Sequence, residues 1–156
     1  MRNSYIILIL FFLVNCTTSN AVVKKPVPQF ESMTFDAVTK SLLFEGEFPK
    51  HFKDLSNQWF DNKVKINGLE GNMLFVLKNY SEQSSKINDG RKIYISVEFE
   101  VLLEKSSLSQ KKVIKGNVNS FSTLTGDFSL SEFDELIIKT QIDLVLRLSR
   151  DLKSKI

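Results

Sequence analysis

From Ile93 to Leu103 the chain alternates with a period of two: Ile93, Ile95, Val97, Phe99, Val101 and Leu103 fall on one side, and Tyr94, Ser96, Glu98, Glu100 and then Glu104 on the other. This predicts a strand with one face buried and one solvated, broken only by Leu102. Upstream, Phe48, Phe52, Leu55 and Trp59 are spaced four, three and four, a single helical stripe, with Pro49 suited to the first turn. Met33 to Phe44 is mostly apolar or β-prone, but its alternation slips partway, which predicts a first strand carrying a bulge. Asn67-Gly68 and Gly71 mark a turn, Met73 to Tyr80 a second strand, and Asn88-Asp89-Gly90 a tight hairpin turn. Past the polar turn Ser106 to Gln110, Val113 to Leu124 reads as a fourth strand ended by Gly126.

The last element opens on a capping box, Ser129 with Glu132, flanked by a Phe128–Phe133 hydrophobic staple. Phe133, Ile137, Leu144, Leu148 and Leu152 then recur at helical spacing, with a polar gap at Thr140 and Gln141. Arg147, Arg150, Lys153 and Lys155 load the end where cations complement the helix dipole. The expected order is β-α-β-β-β-α, an α+β two-layer sandwich. Its two amphipathic helices would cover one face of a four-stranded, mostly antiparallel sheet.

The N-terminus reads differently. Arg2 precedes an apolar run from Tyr5 to Val14, about ten residues and roughly half of what a spanning helix needs, followed by Cys16 and a polar stretch. An ordinary secretory cut needs small residues before it, which Leu13-Val14-Asn15 does not supply. Leu13-Val14-Asn15-Cys16 resembles the lipobox of bacterial lipoproteins, with Asn15 where that pattern usually has Gly, Ala or Ser. The resemblance implies a signal peptide over residues 1–15, a lipidated Cys16, and anchorage by acyl chains, which is effectively permanent when several sit on one residue. By the same family rule Thr17, standing where Asp would retain the protein in the inner membrane, implies the outer membrane, with the domain facing the periplasm. Residues 16–31, with Lys24-Lys25-Pro26-Val27-Pro28, read as an extended tether, and residues 32–156 as a single domain.

Composition narrows the chemistry. The chain has 156 residues, 13 of them Phe, and a formal net charge of +3, too small for a dedicated nucleic-acid binder. The single Cys excludes an internal disulfide, His51 has no second His with which to build a transition-metal site, and as the only conventional base it is accompanied by no Gly-x-Ser-x-Gly elbow. Gly68 and Gly71 lack the other glycines of a phosphate loop. Glu98, Glu100 and Glu104 form a carboxylate row, more readily a solvated sheet face than an acid–base pair. Lys111, Lys112 and Lys115, or Lys63 and Lys65, are able to meet anionic headgroups, or simply to protect strand ends. No enzyme, metal or cofactor is expected.

The lipobox, the element order, and the stretch from Gly116-Asn117-Val118-Asn119-Ser120-Phe121 into the helix over 129–156 together resemble the lipopolysaccharide-assembly lipoproteins. That resemblance implies two helices on a four-stranded sheet and a non-enzymatic role plugging a β-barrel outer-membrane protein. Auxiliary lipoproteins of ABC-type lipid transport share the architecture, which leaves an envelope lipid-transport complex as an alternative partner. A lipid carrier is the other class, with Phe48, Phe52, Trp59 and Phe60 bordering an acyl groove.

Overall fold

In the computed structural model, which describes residues 30–105 and 110–156, the chain runs β1 (Met33–Phe35), β2 (Thr39–Glu45), α1 (Lys50–Lys63), β3 (Val64–Ile66), β4 (Asn72–Ile87), β5 (Gly90–Lys105), β6 (Gln110–Thr125) and α2 (Leu130–Lys155). The α+β class holds, and four strands form one sheet in the order β2-β4-β5-β6. The sheet is mixed rather than mostly antiparallel. β2 pairs with β4 in parallel, Thr39 beside Asn72 through Glu45 beside Lys78, and the two later pairings are antiparallel. The cause is α1: a strand followed by a helix packed on the sheet returns to it in the same direction.

The expected element order is corrected at two places. The slip between Met33 and Phe44 is a break between two strands, not a bulge, and β1 pairs with β3, a strand that went unpredicted, in a separate parallel ribbon. Three residues each, these strands are too short to show a period. Pro49 occupies the N-cap of α1, its carbonyl accepting from the Lys53 amide at 3.1 Å, so the helix begins one residue later than expected.

Both helices cover the same face. The α1 side chains Trp59 and Phe60 meet Phe75 of β4 edge-on at 5.6 and 6.0 Å between ring centroids, and Phe75 stacks on Phe99 of β5. Leu144, Leu148 and Leu152 of α2 are fully buried over β5 and β6. The predicted cap is present in full: Ser129 Oγ accepts from the Glu132 amide, the Glu132 carboxylate accepts from the Ser129 amide at 2.7 Å, and Phe128 stacks on Phe133. At the other end of the layer, the Lys40 ammonium of β2 donates to the carbonyls of Phe60, Asp61 and Val64, satisfying the open C-terminus of α1. No helix among the described residues is long and apolar enough to cross a membrane.

Candidate functional site

The strongest polar cluster lies where α1, β4 and α2 meet. β4 carries a bulge: Lys78 pairs with Glu98 and Ser81 with Ser96, so three steps on β4 match two on β5. Asn79 takes a left-handed conformation (φ 54°), and the extra residue reverses which side chains face the helices. Tyr80 and Glu82 thereby point at α2. The Tyr80 hydroxyl donates to Glu82 Oε2 at 2.6 Å and accepts from Gln141 Nε2 at 3.1 Å, while Gln141 Oε1 lies 2.9 Å from His51 Nδ1. Since that Gln141 oxygen only accepts, His51 carries its proton on Nδ1.

Phe48 and Phe52 pack their rings on Tyr80 at 5.5 and 5.0 Å. Burial, reinforced by the hydrogen bond to Glu82, pushes the Tyr80 hydroxyl well above its ordinary range. A shallow cavity of about 240 Å³ beside His51, Glu82 and Gln141 opens on this cluster. Its protons are committed to internal acceptors, and no serine or cysteine accompanies His51 in the hydrogen bonds. The cluster joins three elements; it does not poise a nucleophile.

The carboxylate row also resolves into pairs on the face of the sheet that the helices leave open. Glu100 bridges Lys78 at 3.0 Å and Lys115 at 3.3 Å, Glu98 accepts from Asn79, and Glu104 pairs with Lys111. The hydrogen bond from Lys78, helped by Lys115, holds the Glu100 carboxyl below its usual range. Lys63 and Lys65 stand apart from these, at the end of α1 and in β3, and Lys112 borders a cavity of about 340 Å³ with Leu103 and Ile156. Among the described residues no group of three His, Cys, Asp or Glu is placed to hold a metal.

On either side of this charged belt the open face is apolar. Register places Ser41, Leu74, Leu102 and Val113 in one row across all four strands, with Leu43 and Val76 in the next. Leu102, the breach in the alternation, is thus part of a surface patch. Beyond the belt Tyr94 lies beside Phe121, which is 56% exposed with the Lys92 ammonium 4.5 Å over its ring. Sequence reasoning missed these residues because single apolar positions on a solvated strand face show no period; only pairing gathers them.

The four residues of the carrier reading, Phe48, Phe52, Trp59 and Phe60, are core, none more than 8% exposed. A groove able to hold an acyl chain would leave these rings exposed along its walls, so they border none. Cys16 and the lipobox lie outside the described residues.

No protein-family profile matches this chain, and no curated protein matches it. Solved structures do share its fold. The rare lipoprotein B of Shewanella oneidensis superposes with a TM-score of 0.50 at 17% identity, over 74% of this chain and 94% of that one. A minor lipoprotein of Acinetobacter baumannii does so with a TM-score of 0.50 at 15% identity, over 74% and 92%.

Proposed function

We propose that this chain is a non-enzymatic bacterial lipoprotein, anchored through an acylated Cys16 in the outer membrane, that serves as an assembly factor of the lipopolysaccharide-assembly type. The observation that carries the reading is the open face of the sheet, two apolar patches flanking a belt of satisfied ion pairs, on a fold shared with two bacterial lipoproteins. Such a face suits docking to another protein: apolar contacts supply the association energy, and the paired charges between them fix register and specificity. A β-barrel outer-membrane protein is the partner proposed, and this chain's own lipid tether would keep the domain beside it.

The test is site-specific photocrosslinking in the native envelope from Leu43, Leu102 and Val113, followed by mass spectrometry. Adducts to an outer-membrane β-barrel support the reading. Adducts confined to components of an ABC-type lipid transporter replace it with the auxiliary-lipoprotein alternative, and the absence of envelope adducts removes both.

A further inference from the structure

The C-terminal turns of α2 carry Arg147, Arg150, Lys153 and Lys155, and all but one of them are paired: Arg147 with Asp143, Lys153 with Glu31 and Lys155 with Asp151. Arg150 forms no ion pair among the described residues. Its helical neighbours three and four positions away are Leu146, Arg147, Lys153 and Ser154, so its own helix offers it no carboxylate. Arg150 and Lys153 stand with Glu31, Leu146, Ser149 and Ser154 around a cavity of about 360 Å³ on the side of α2.

Ser149 in the wall of this cavity is 3% exposed, and its hydroxyl has no hydrogen-bond partner among the described residues. A helical Ser or Thr can return its proton to the carbonyl four residues back, as Thr140 does to Leu136 at 2.7 Å. Ser149 makes no such bond to Val145, so a buried donor beside the cavity is left to be satisfied. The field at the mouth is positive, two cations against one carboxylate. Lys153, by its hydrogen bond and its charge, and Arg150 after it hold the Glu31 carboxyl below its usual range. Ser149 and Arg150 precede the last turn of α2, where the helix dipole would repel an anion.

We propose that this cavity binds a phosphate group, which accepts hydrogen bonds from Arg150 and Lys153 at the mouth and from the Ser149 hydroxyl in the wall. Glu31, the anion already at the mouth, pairs with Lys153 and leaves the guanidinium and the hydroxyl without an acceptor. A phosphate has oxygens enough for the guanidinium fork, the ammonium and the hydroxyl at once. Glu31 then competes with the ligand for Lys153 and gates the site. The cavity is larger than a bare phosphate needs, and half-buried Leu146 supplies an apolar wall for the carbon substituent of an ester. The site depends neither on the barrel partner nor on the acylation of Cys16.

The experiment is isothermal titration of the full chain in a non-ionic detergent with inorganic phosphate and, separately, with glycerol 3-phosphate. Saturable binding at one site is expected in the parent. Arg150→Gln should weaken it about tenfold or more, and Glu31→Gln, which removes the competing carboxylate, should tighten it. Ser149→Ala changes no charge, so its expected loss of about fivefold reports contact with the hydroxyl and not the general field. Its melting midpoint without phosphate should equal or exceed the parent's, because the deleted hydroxyl has no partner to lose. Lys111→Gln, which lies on the open face of the sheet, should bind as the parent does. Tighter binding of glycerol 3-phosphate than of inorganic phosphate supports a site for an ester such as a lipid headgroup, and equal affinities support a site for free phosphate. The proposal is overturned if the parent shows no saturable binding of either probe, or if Ser149→Ala and Arg150→Gln bind as tightly as the parent.

Discussion

Gly116 sits where β6 passes between the Phe99 ring and Asp151 of α2, and a β-carbon there would collide with both. Phe99 is fully buried and stacked on Phe75, so the ring has nowhere to go. Gly116→Ala is expected to cost about 1–3 kcal/mol, read as a lower denaturation midpoint, as overpacking of a filled core does. Tyr80 supplies a pH dependence. Its hydroxyl is held neutral in the folded chain above the ordinary tyrosine value by burial and by its bond to Glu82. Unfolding releases it to titrate near pH 10, so the stabilisation is complete below about pH 10 and is lost as pH rises beyond that. Urea midpoints measured from pH 8 to 11 should fall more steeply in the parent than in Tyr80→Phe; parallel curves would show that this hydroxyl is not linked to folding.

At the scale of elements, β4 is the strand that organises the polar cluster, and its bulge is the means. Without the extra residue, Tyr80 and Glu82 would face the open side and Gln141 would be buried with no partner from β4. The left-handed Asn79 conformation is tolerated by Asn and Gly and disfavoured for a branched residue. Asn79→Val is expected to destabilise by about 1–2 kcal/mol, while Asn79→Gly, which forfeits only the bond to Glu98, should lie closer to the parent in thermal melts. The long hairpin also explains how Ser81 to Lys86, with little strand propensity, remain in a ladder. Pairing to β5 across the turn at Asn88-Asp89 supplies the hydrogen bonds that local preference does not.

For the whole molecule, the proposed anchor makes the simplest prediction. Phe30 packs on the core and Glu31 pairs with Lys153, so the chain enters the domain beside the C-terminal end of α2. Cys16 itself lies outside the described residues. Cys16→Ser should leave domain stability unchanged, take up no labelled fatty acid, and accumulate as an uncleaved precursor in the inner membrane. If the variant matures and fractionates as the parent does, the acylated anchor is wrong.

The sequence by itself determined what depends on neighbours within a few turns. The Ser129 cap with its staple, the alternation of β5, the hairpin at Asn88-Asp89 and, of the stripe of α1, Phe52 and Trp59 as buried anchors with Phe48 just ahead of the helix rest on spacing and local backbone chemistry, and these stand in the structure. The α+β class followed, because two apolar stripes and a one-sided strand have few ways to be buried together. Tertiary structure alone decided the parallel pairing of β2 with β4, which depends on where α1 lies, and the β1–β3 ribbon, whose strands are too short to carry a period. It also decided what the polar gap at Thr140 and Gln141 is for. Both are buried, Thr140 bonding the Leu136 carbonyl and Gln141 joining His51 to Tyr80. A buried Gln and a solvent-facing one look alike along the chain, because the partners that make the burial of Gln141 tolerable come from 61 and 90 residues away.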